Sequence, residues 1–192
     1  MFSVRCYVAA NNYGLDILIN DKSSMVRAEV AKQKYGLEKL INDEDYHVRC
    51  AVAYKGYGLD KLINDENEEV RAEVTRQGYN LEKLIDDKSY TVHDGVNEFL
   101  NEKADDSFII DLGNKLLDKG YKLSTNGIKN IFTDETCTKF REFHGYGTNG
   151  LVYQVLARLL WKNIRVKEIY NPEYPKIVKI YLNQKGLSEK DI

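Results

Sequence analysis

Prolines, cysteines and long apolar runs are scarce in this sequence of 192 residues, which contains two prolines and three cysteines. Cys6, Cys50 and Cys137 form no C-x-x-C pair, and so small an odd number predicts reduced thiols rather than a disulfide framework. The longest apolar stretch, LARLLW, contains Arg158 and precedes Lys162, so it is far shorter than a membrane-spanning helix. The first residues, MFSVRCYVAANN, do not resemble a secretory signal, and we expect a cytoplasmic protein without membrane partners.

A strong excess of one charge is also missing, since the formal net charge is −2. This balance argues against binding nucleic acid by bulk electrostatic attraction. The halves differ, because residues 1–103 contain 14 basic and 19 acidic residues, a net charge of −5, whereas residues 104–192 contain 14 and 11, a net charge of +3. The change of sign coincides with the end of a sequence repeat and predicts two domains, 1–103 and 104–192.

A ten-residue string recurs four times, at intervals of 22 residues, in the first half of the sequence. Its copies read NYGLDILIND, KYGLEKLIND, GYGLDKLIND and GYNLEKLIDD. Each unit also has two valines four positions apart, such as Val48 and Val52, while Leu37, Leu40 and Ile41 show the spacing of a second apolar helical face. The sequence therefore predicts two helical pieces per unit, in four full units and part of a fifth.

The residues between the helical pieces predict how each piece begins and ends. Gly36 and Gly58 occupy a position that Asn80 takes in the fourth copy, and this exchange of glycine for asparagine predicts a positive φ. The Asn and Asp residues that follow the short piece supply side-chain acceptors for the free N–H groups of the next helix. The string is thus a helix end, a short helix and the start of the next helix.

A 22-residue unit is too short for two full helices of the HEAT type, which need roughly 40 residues. The V-R-x-x-V spacing followed by Y-G-L-x-x-L resembles the leucine-rich repeat variant family over about residues 4–96, although prolines are scarcer and the period is slightly shorter. The resemblance implies an all-α fold, a right-handed α-solenoid of HEAT-like design in which a long helix alternates with a short 3₁₀-like helix. After Val96 the pattern stops, and Gly95 predicts an interruption of the last repeat helix, so we expect residues 104–192 to cap the solenoid as a small helical bundle.

One arginine recurs in each of the first four units: Arg5, Arg27, Arg49 and Arg71. A row of guanidinium groups can bind phosphates. We favour a structural role, because an aspartate such as Asp43 precedes each of the last three arginines by six residues, as in the Asp–Arg ladder that joins neighbouring repeats in HEAT-like proteins. His93 replaces the arginine in the fifth unit, which predicts that the ladder ends there.

Two other columns of the repeat have both a functional and a structural interpretation. A tyrosine at each helix junction can stack on bases, but such a ring more often covers the backbone of its neighbour. These tyrosines are Tyr13, Tyr35, Tyr57 and Tyr79. Cys6 and Cys50 alternate with alanine in one column, which predicts a small apolar packing position rather than a nucleophile.

The second half contains few candidate motifs. Residues 145–150, GYGTNG, match G-x-G-x-x-G, but no predicted strand precedes them, so we expect no dinucleotide site. His144 lacks triad partners and the three histidines share no metal-ligand spacing, so we expect no catalytic, metal or cofactor site. A basic–aromatic cluster either contacts nucleic acid or forms a solvated helix face. Its members are Arg158, Trp161, Lys162, Arg165 and Lys167.

A column of the repeat is the same position in successive units. Columns whose residue differs between units are not constrained by the packing that keeps the other columns constant, so their residues are candidates for partner binding. Two rows vary most, one at the start of the long helix and one near its end. They include tyrosines and an arginine, residue types enriched in binding hot spots. The candidates are Lys32, Tyr46, His47, Tyr54, Glu68, Glu69, Arg76 and Tyr90.

The sequence therefore favours a non-enzymatic protein–protein interaction module. Its richness in Asn, Lys, Ile and Tyr suits a bacterial or phage regulator, including an inhibitor of a host defence protein. The alternative is a nucleic-acid-binding helical-repeat protein of the HEAT-like DNA glycosylase type, with the C-terminal basic cluster as a contact. Those surfaces are strongly basic, whereas residues 1–103 carry a net charge of −5, so we expect another protein as the partner.

Overall fold

The computed structural model describes residues 2–121 and 148–161. Within these ranges every regular element is an α-helix and no β-strand occurs, which confirms the predicted all-α class. None of these helices combines the length and the apolar character needed to span a bilayer. The chain divides into two compact units, Met1–Phe99 (unit 1) and Leu100–Ile192 (unit 2).

Unit 1 is organised around long helices that begin 22 residues apart. They are α1 (Phe2–Ala10), α3 (Ser24–Lys32), α5 (Tyr46–Tyr54), α7 (Glu68–Arg76) and α9 (Tyr90–Glu102), of which residues 100–102 fall in unit 2. Contacts join α1 to α3, α3 to α5, and α5 to α7. From α3 onward both valines of each helix, such as Val48 and Val52, are buried. These apolar columns therefore form the contact between successive long helices.

Four short helices of four residues each connect the long ones. They are α2 (Leu15–Leu18), α4 (Leu37–Leu40), α6 (Leu59–Leu62) and α8 (Leu81–Leu84). The last leucine of each short helix is buried, and so is the isoleucine that follows it. The carbonyl of Gly58 accepts the N–H groups of both Lys61 and Leu62 at 3.0 Å, so the first turn of α6 mixes 3₁₀-type and α-type hydrogen bonds.

The predicted positive φ is confirmed at the residue before each short helix. Gly36 and Gly58 have φ 60° and Asn80 has φ 49°. A Cβ on Gly36 would lie 2.2 Å from Cδ1 of Ile19, so glycine also makes room for the isoleucine of the preceding unit. A second positive φ, which the sequence pattern did not predict, lies just past the ends of α1, α3, α5 and α7. It occurs at Asn12, Lys34, Gly56 and Gly78.

Side-chain acceptors stand at the starts of long helices, as predicted. Asp45 caps α5 by accepting the N–H of His47 at 2.9 Å, and Asn67 caps α7 in the same way. Asp43, from the repeated string, accepts the N–H of Asp45 at 3.0 Å just outside α5. The acceptors thus fix both the turn before the helix and its first N–H groups.

The predicted interruption at Gly95 is wrong, because α9 runs continuously from Tyr90 to Glu102. A Cβ at Gly95 would lie 2.0 Å from the Thr75 hydroxyl oxygen and 2.8 Å from the carbonyl oxygen of Ala72. The buried Thr75 hydroxyl donates to that same carbonyl at 2.6 Å. Glycine is therefore required at this position because α9 approaches the backbone of α7 closely.

The described part of unit 2 contains α10 (Asp106–Asp118) and α11 (Thr148–Trp161), which pack against each other. Gly113 faces Leu159 so closely that an added Cβ would lie 2.4 Å from Cδ1 of that leucine. One side of α10 is apolar and buried, at Ile109, Leu112 and Leu116. Six apolar positions of α11 are buried as well, namely Leu151, Val152, Val155, Leu156, Ala157 and Leu159.

Candidate functional site

The repeated arginines form a series of ion pairs that we call the arginine–aspartate ladder: Arg5–Asp21, Arg27–Asp43, Arg49–Asp65 and Arg71–Asp87. Nε and Nη2 of Arg49 donate to the two carboxylate oxygens of Asp65 at 2.7 and 2.9 Å, and Nη1 donates to the backbone carbonyl of Asp43 at 2.8 Å. Each side-chain pair joins residues 16 apart, so the six-residue spacing seen in the sequence corresponds only to the backbone contact. The ladder links neighbouring units, as predicted.

The environment of the ladder carboxylates favours their ionised form. Burial alone would raise the pKa of Asp65, but hydrogen bonds from Arg49 and from the Asn67 N–H outweigh it and hold the pKa below its ordinary value of 3.8. The pKa of Asp43 is lowered in the same way by Arg27 and a backbone N–H. Because these guanidinium groups are already bound on two sides, they are not placed to bind phosphates.

Within the described residues, Asp87 is the last aspartate whose carboxylate is bound by an arginine of the ladder. This agrees with the prediction that the ladder ends where His93 replaces the arginine. Its carboxylate accepts from Arg71 at 2.7 Å. His93 is buried, and neither of its ring nitrogens has a hydrogen-bond partner. Its ring instead meets Tyr90 edge-on, with 6.5 Å between centroids. The ladder thus ends with a histidine that packs rather than pairs.

An open groove of about 430 Å³ runs over the long helices of unit 1, and we call it the long-helix groove. Its more buried members are Cys6, Ala28, Cys50 and Ala51. Its other members are Met25, Glu29, Lys32, His47, Tyr54 and Glu73. On α5 the lining residues follow the spacing i, i+3, i+4, i+7, which places them on one face of the helix. The small residues form the floor and the larger, more exposed residues form the walls.

The long-helix groove brings together members of both predicted rows. Lys32 and Tyr54 come from the row near the helix end, and His47 comes from the row at the helix start. Tyr46, the neighbour of His47, instead lines a second cavity of about 510 Å³ together with Arg49. The structure therefore divides the row at the helix start between two surfaces, because adjacent residues of a helix point in different directions.

The remaining candidates of unit 1 differ in exposure. Arg76 is half-buried, and it donates to Glu98 at 2.8 Å and to Glu73 at 3.5 Å. Glu68 and Glu69 are exposed in the first turn of α7. Tyr90 is 72% exposed. Of these residues, Glu69 stands in the same column of the repeat as His47, so it extends the groove face along α7.

The walls of the groove contain charged pairs on both sides of an uncharged gap. Lys32 pairs with Glu29 on α3 at 3.0 Å, and Arg76 pairs with Glu73 on α7 at 3.5 Å. The same two columns of α5 hold Ala51 and Tyr54. We call the surface formed by Cys50, Ala51 and Tyr54 the α5 notch. Glu29, Glu73 and Ala51 were not among the predicted residues, although their helical phase relative to Lys32 and Tyr54 contained the signal.

Cys50 at the α5 notch is a half-buried thiol in the small packing position that the alternation with alanine predicts. Burial raises its pKa to about 12, and the carboxylates of Glu73, Glu69 and Asp65 add to the effect. A thiol with this pKa carries no charge at neutral pH.

The column of tyrosines at the helix junctions is partly exposed throughout. Tyr13 in the first repeat is 70% exposed, whereas Tyr35, Tyr57 and Tyr79 in the later repeats are 41%, 40% and 37% exposed. The lower exposure inside the array agrees with packing of each ring against a neighbouring unit.

The basic–aromatic cluster of unit 2 falls only partly within the described residues. Arg158 is half-buried and donates to the carbonyl of Leu100 at 3.0 Å, so it closes the end of α9. Trp161 is the last residue of α11. Lys162, Arg165 and Lys167 lie outside the described residues, and so does His144.

In residues 2–121 and 148–161 no three His, Cys, Asp or Glu side chains are grouped so that they could hold a metal ion. No family model matches the chain, and neither does any curated protein or solved structure. The resemblance to the leucine-rich repeat variant family therefore stays a prediction, and the candidate site is defined by its geometry.

Proposed function

We propose that residues 1–103 form a right-handed α-solenoid of the leucine-rich repeat variant type, which acts as a non-enzymatic protein-binding module. The recurrence of long and short helices and the arginine–aspartate ladder support this architecture. Residues 104–192 cap the last unit. A cytoplasmic regulator from a bacterium or phage, such as an inhibitor of a host defence protein, is the setting that this proposal favours.

The long-helix groove is the observation that carries the proposal. It is open, its floor is small and apolar, and its walls contain the columns that change from unit to unit. Tyr54 and Met25 are 57% and 51% exposed beside this floor. Exposed large side chains next to a small apolar floor are typical of binding hot spots. The groove therefore offers a partner both contact area and a pattern of side chains that differs at each unit.

The charges near the groove favour a protein over a nucleic acid. Glu29 and Glu73 line the groove, and residues 1–103 have a net charge of −5. A phosphate backbone would be repelled by such a surface. Arg158, from the basic cluster of unit 2, already donates to a backbone carbonyl.

Site-specific photo-crosslinking in the cell of origin tests the proposal. A benzophenone amino acid replaces Tyr54 in the groove, and the matched control replaces Asp60, which is exposed on α6 outside the groove. We expect a discrete protein adduct from position 54 and none from position 60. Equal adducts from both positions, or none from position 54, would contradict the proposal.

A gel-shift assay tests the alternative with the same purified chain. Duplex and single-stranded DNA and RNA are titrated at several salt concentrations. We expect no tight binding. Tight binding that weakens steeply with salt would favour the nucleic-acid-binding alternative, because such a slope reports the release of counterions from phosphates.

A further inference from the structure

The α5 notch is shaped to accept one apolar side chain. Ala51 is 6% exposed and Cys50 is half-buried, so the bottom of the notch is small and apolar. Tyr54 stands at its side with more than half of its surface exposed. An aliphatic side chain of a partner that packs on Ala51 would bury apolar surface against both Ala51 and Tyr54. This burial would stabilise the complex by about 25 cal/mol per Å².

The surroundings of the notch are negative. Glu29 lines the groove on one side, where Lys32 pairs with it at 3.0 Å, and Glu73 lines it on the other; Glu69 is exposed on the same face of α7, so the excess of negative charge lies on the α7 side. The positive charge nearest to Glu73 is Arg76, which is shared with Glu98. Burial raises the pKa of the nearby Cys50 thiol first, and the carboxylates of Glu73 and Glu69 raise it further. A field of this sign favours cationic groups.

We infer that the long-helix groove binds a cationic amphipathic segment of a partner protein, with an apolar side chain in the α5 notch and a basic side chain on each side of it. The basic side chains approach Glu29 on α3 and Glu73 and Glu69 on α7. This inference rests on the proposed function, because it names the chemistry of the partner for the same surface.

The spacing of the helices sets the spacing of the segment. Packed helices lie about 8–10 Å apart, so α3 and α7 flank the notch at about that distance on either side. An extended chain rises about 3.3 Å per residue. A basic residue about three positions before the apolar one, and another about three positions after it, therefore match the carboxylates of α3 and α7.

Three synthetic peptides test this chemistry against the full chain. The first has a central leucine with arginine three positions before and after it, in a serine–glycine background. The second has glutamate in place of both arginines, and the third has serine in place of the leucine. Each is titrated into isotope-labelled protein, and amide chemical shifts give both the affinity and the location. We expect the first peptide to shift the amides of Ala28, Cys50 and Ala51, and the other two to bind at least about ten-fold more weakly.

Charge-neutral variants of the protein test the role of the carboxylates. Glu69→Gln and Glu73→Gln should each weaken binding of the leucine–arginine peptide about two- to five-fold, the range for exposed ion pairs. Glu38→Gln, at an exposed position of α4 outside the groove, is the matched control and should leave the affinity unchanged. Since Glu69 is exposed, its variant tests the inference even if the Glu73 variant is unstable.

Four results would overturn the inference: equal binding of the glutamate peptide, equal binding of the serine peptide, shifts confined to residues outside the groove, or binding of none of the three. The crosslinking experiment separates this failure from that of the proposed function. A protein adduct at position 54 without selective peptide binding would support the proposed protein-binding function and refute the inferred chemistry of the partner segment. Selective peptide binding without any adduct would refute the proposed function and support the inferred binding preference of the groove.

Discussion

The arginine–aspartate ladder and the long-helix groove lie on the same long helices but use their charged groups differently. In the ladder, Arg49 binds the Asp65 carboxylate of its own repeat unit and the Asp43 carbonyl of the preceding one, and the side chains of Arg49 and Asp65 are only 10% and 8% exposed. In the groove, Lys32 and Glu29 belong to one helix and are 50% and 21% exposed. Arginines that bind groups of two successive units hold the units together, whereas charges that pair within a helix leave their surface open to a partner.

The largest effect should come from the apolar core that the ladder encloses. Leu62 is 1% exposed at the end of α6, with long helices on both sides, so Leu62→Ala should lower the free energy of unfolding by about 3–5 kcal/mol. Leu15, in the first unit, is 9% exposed, and Leu15→Ala should cost about 2 kcal/mol. Urea unfolding of both variants measures the difference. Equal losses would count against a stacked array.

The next effect should come from breaking one rung of the ladder. Arg49→Ala leaves the buried carboxylate of Asp65 without its guanidinium and should cost about 2–3 kcal/mol. Asp43 keeps its partner in this variant, because that partner is Arg27. Arg5→Ala is the control, since Arg5 is 45% exposed and its pair should contribute less than about 1 kcal/mol. A stable Arg49→Ala protein that had lost partner binding would show that the ladder is a binding surface instead.

The ladder should also make the free energy of unfolding depend on pH. Hydrogen bonds from Arg49 and Asn67 outweigh burial and lower the pKa of Asp65 below 3.8 in the folded state. A lowered folded-state pKa contributes stability that is fully present above the unfolded value and is lost as the pH falls through the folded value. Urea unfolding at successively lower pH, from about pH 5 downward, should therefore show falling stability, with a shallower fall in Asp65→Asn. An identical fall in both proteins would contradict this account.

The groove side should show the smallest effect on stability. His47 and Tyr54 are exposed and lie outside the packing between units, so His47→Ala and Tyr54→Ala should each change the free energy of unfolding by less than about 0.5 kcal/mol. The same urea unfolding experiments measure this. A loss above about 1 kcal/mol in either variant would mean that the groove residues also hold the fold together.

The local structure of the units was predictable because it depends on neighbouring residues. Periodicity predicted the helices, and the exchange of Gly36 and Gly58 for Asn80 predicted the positive φ. The partner of each arginine was not predictable, since Arg49 reaches Asp65, 16 residues further on, only through the tertiary arrangement of α5 and α6. The prediction for Gly95 was wrong for the same reason, because this glycine allows α9 to approach α7 closely and does not interrupt the helix.

The groove was predictable only in part. Variability between units identified Lys32, His47 and Tyr54, which line the groove together. It also selected Tyr46, which lies on another surface, because variability does not report the direction in which a side chain points. Helical phase would have separated His47 from Tyr46, since only His47 shares a face with Tyr54.

The affinity of the crosslinked partner for single alanine variants tests the central claim most directly. We expect His47→Ala and Tyr54→Ala to weaken binding about ten-fold or more at unchanged stability, as for hot-spot residues. Tyr46→Ala and Tyr90→Ala, which replace tyrosines that do not line the groove, should leave the affinity unchanged. The claim would be contradicted if the two groove variants bound normally while alanine at Arg158, Trp161 or Lys162 abolished binding.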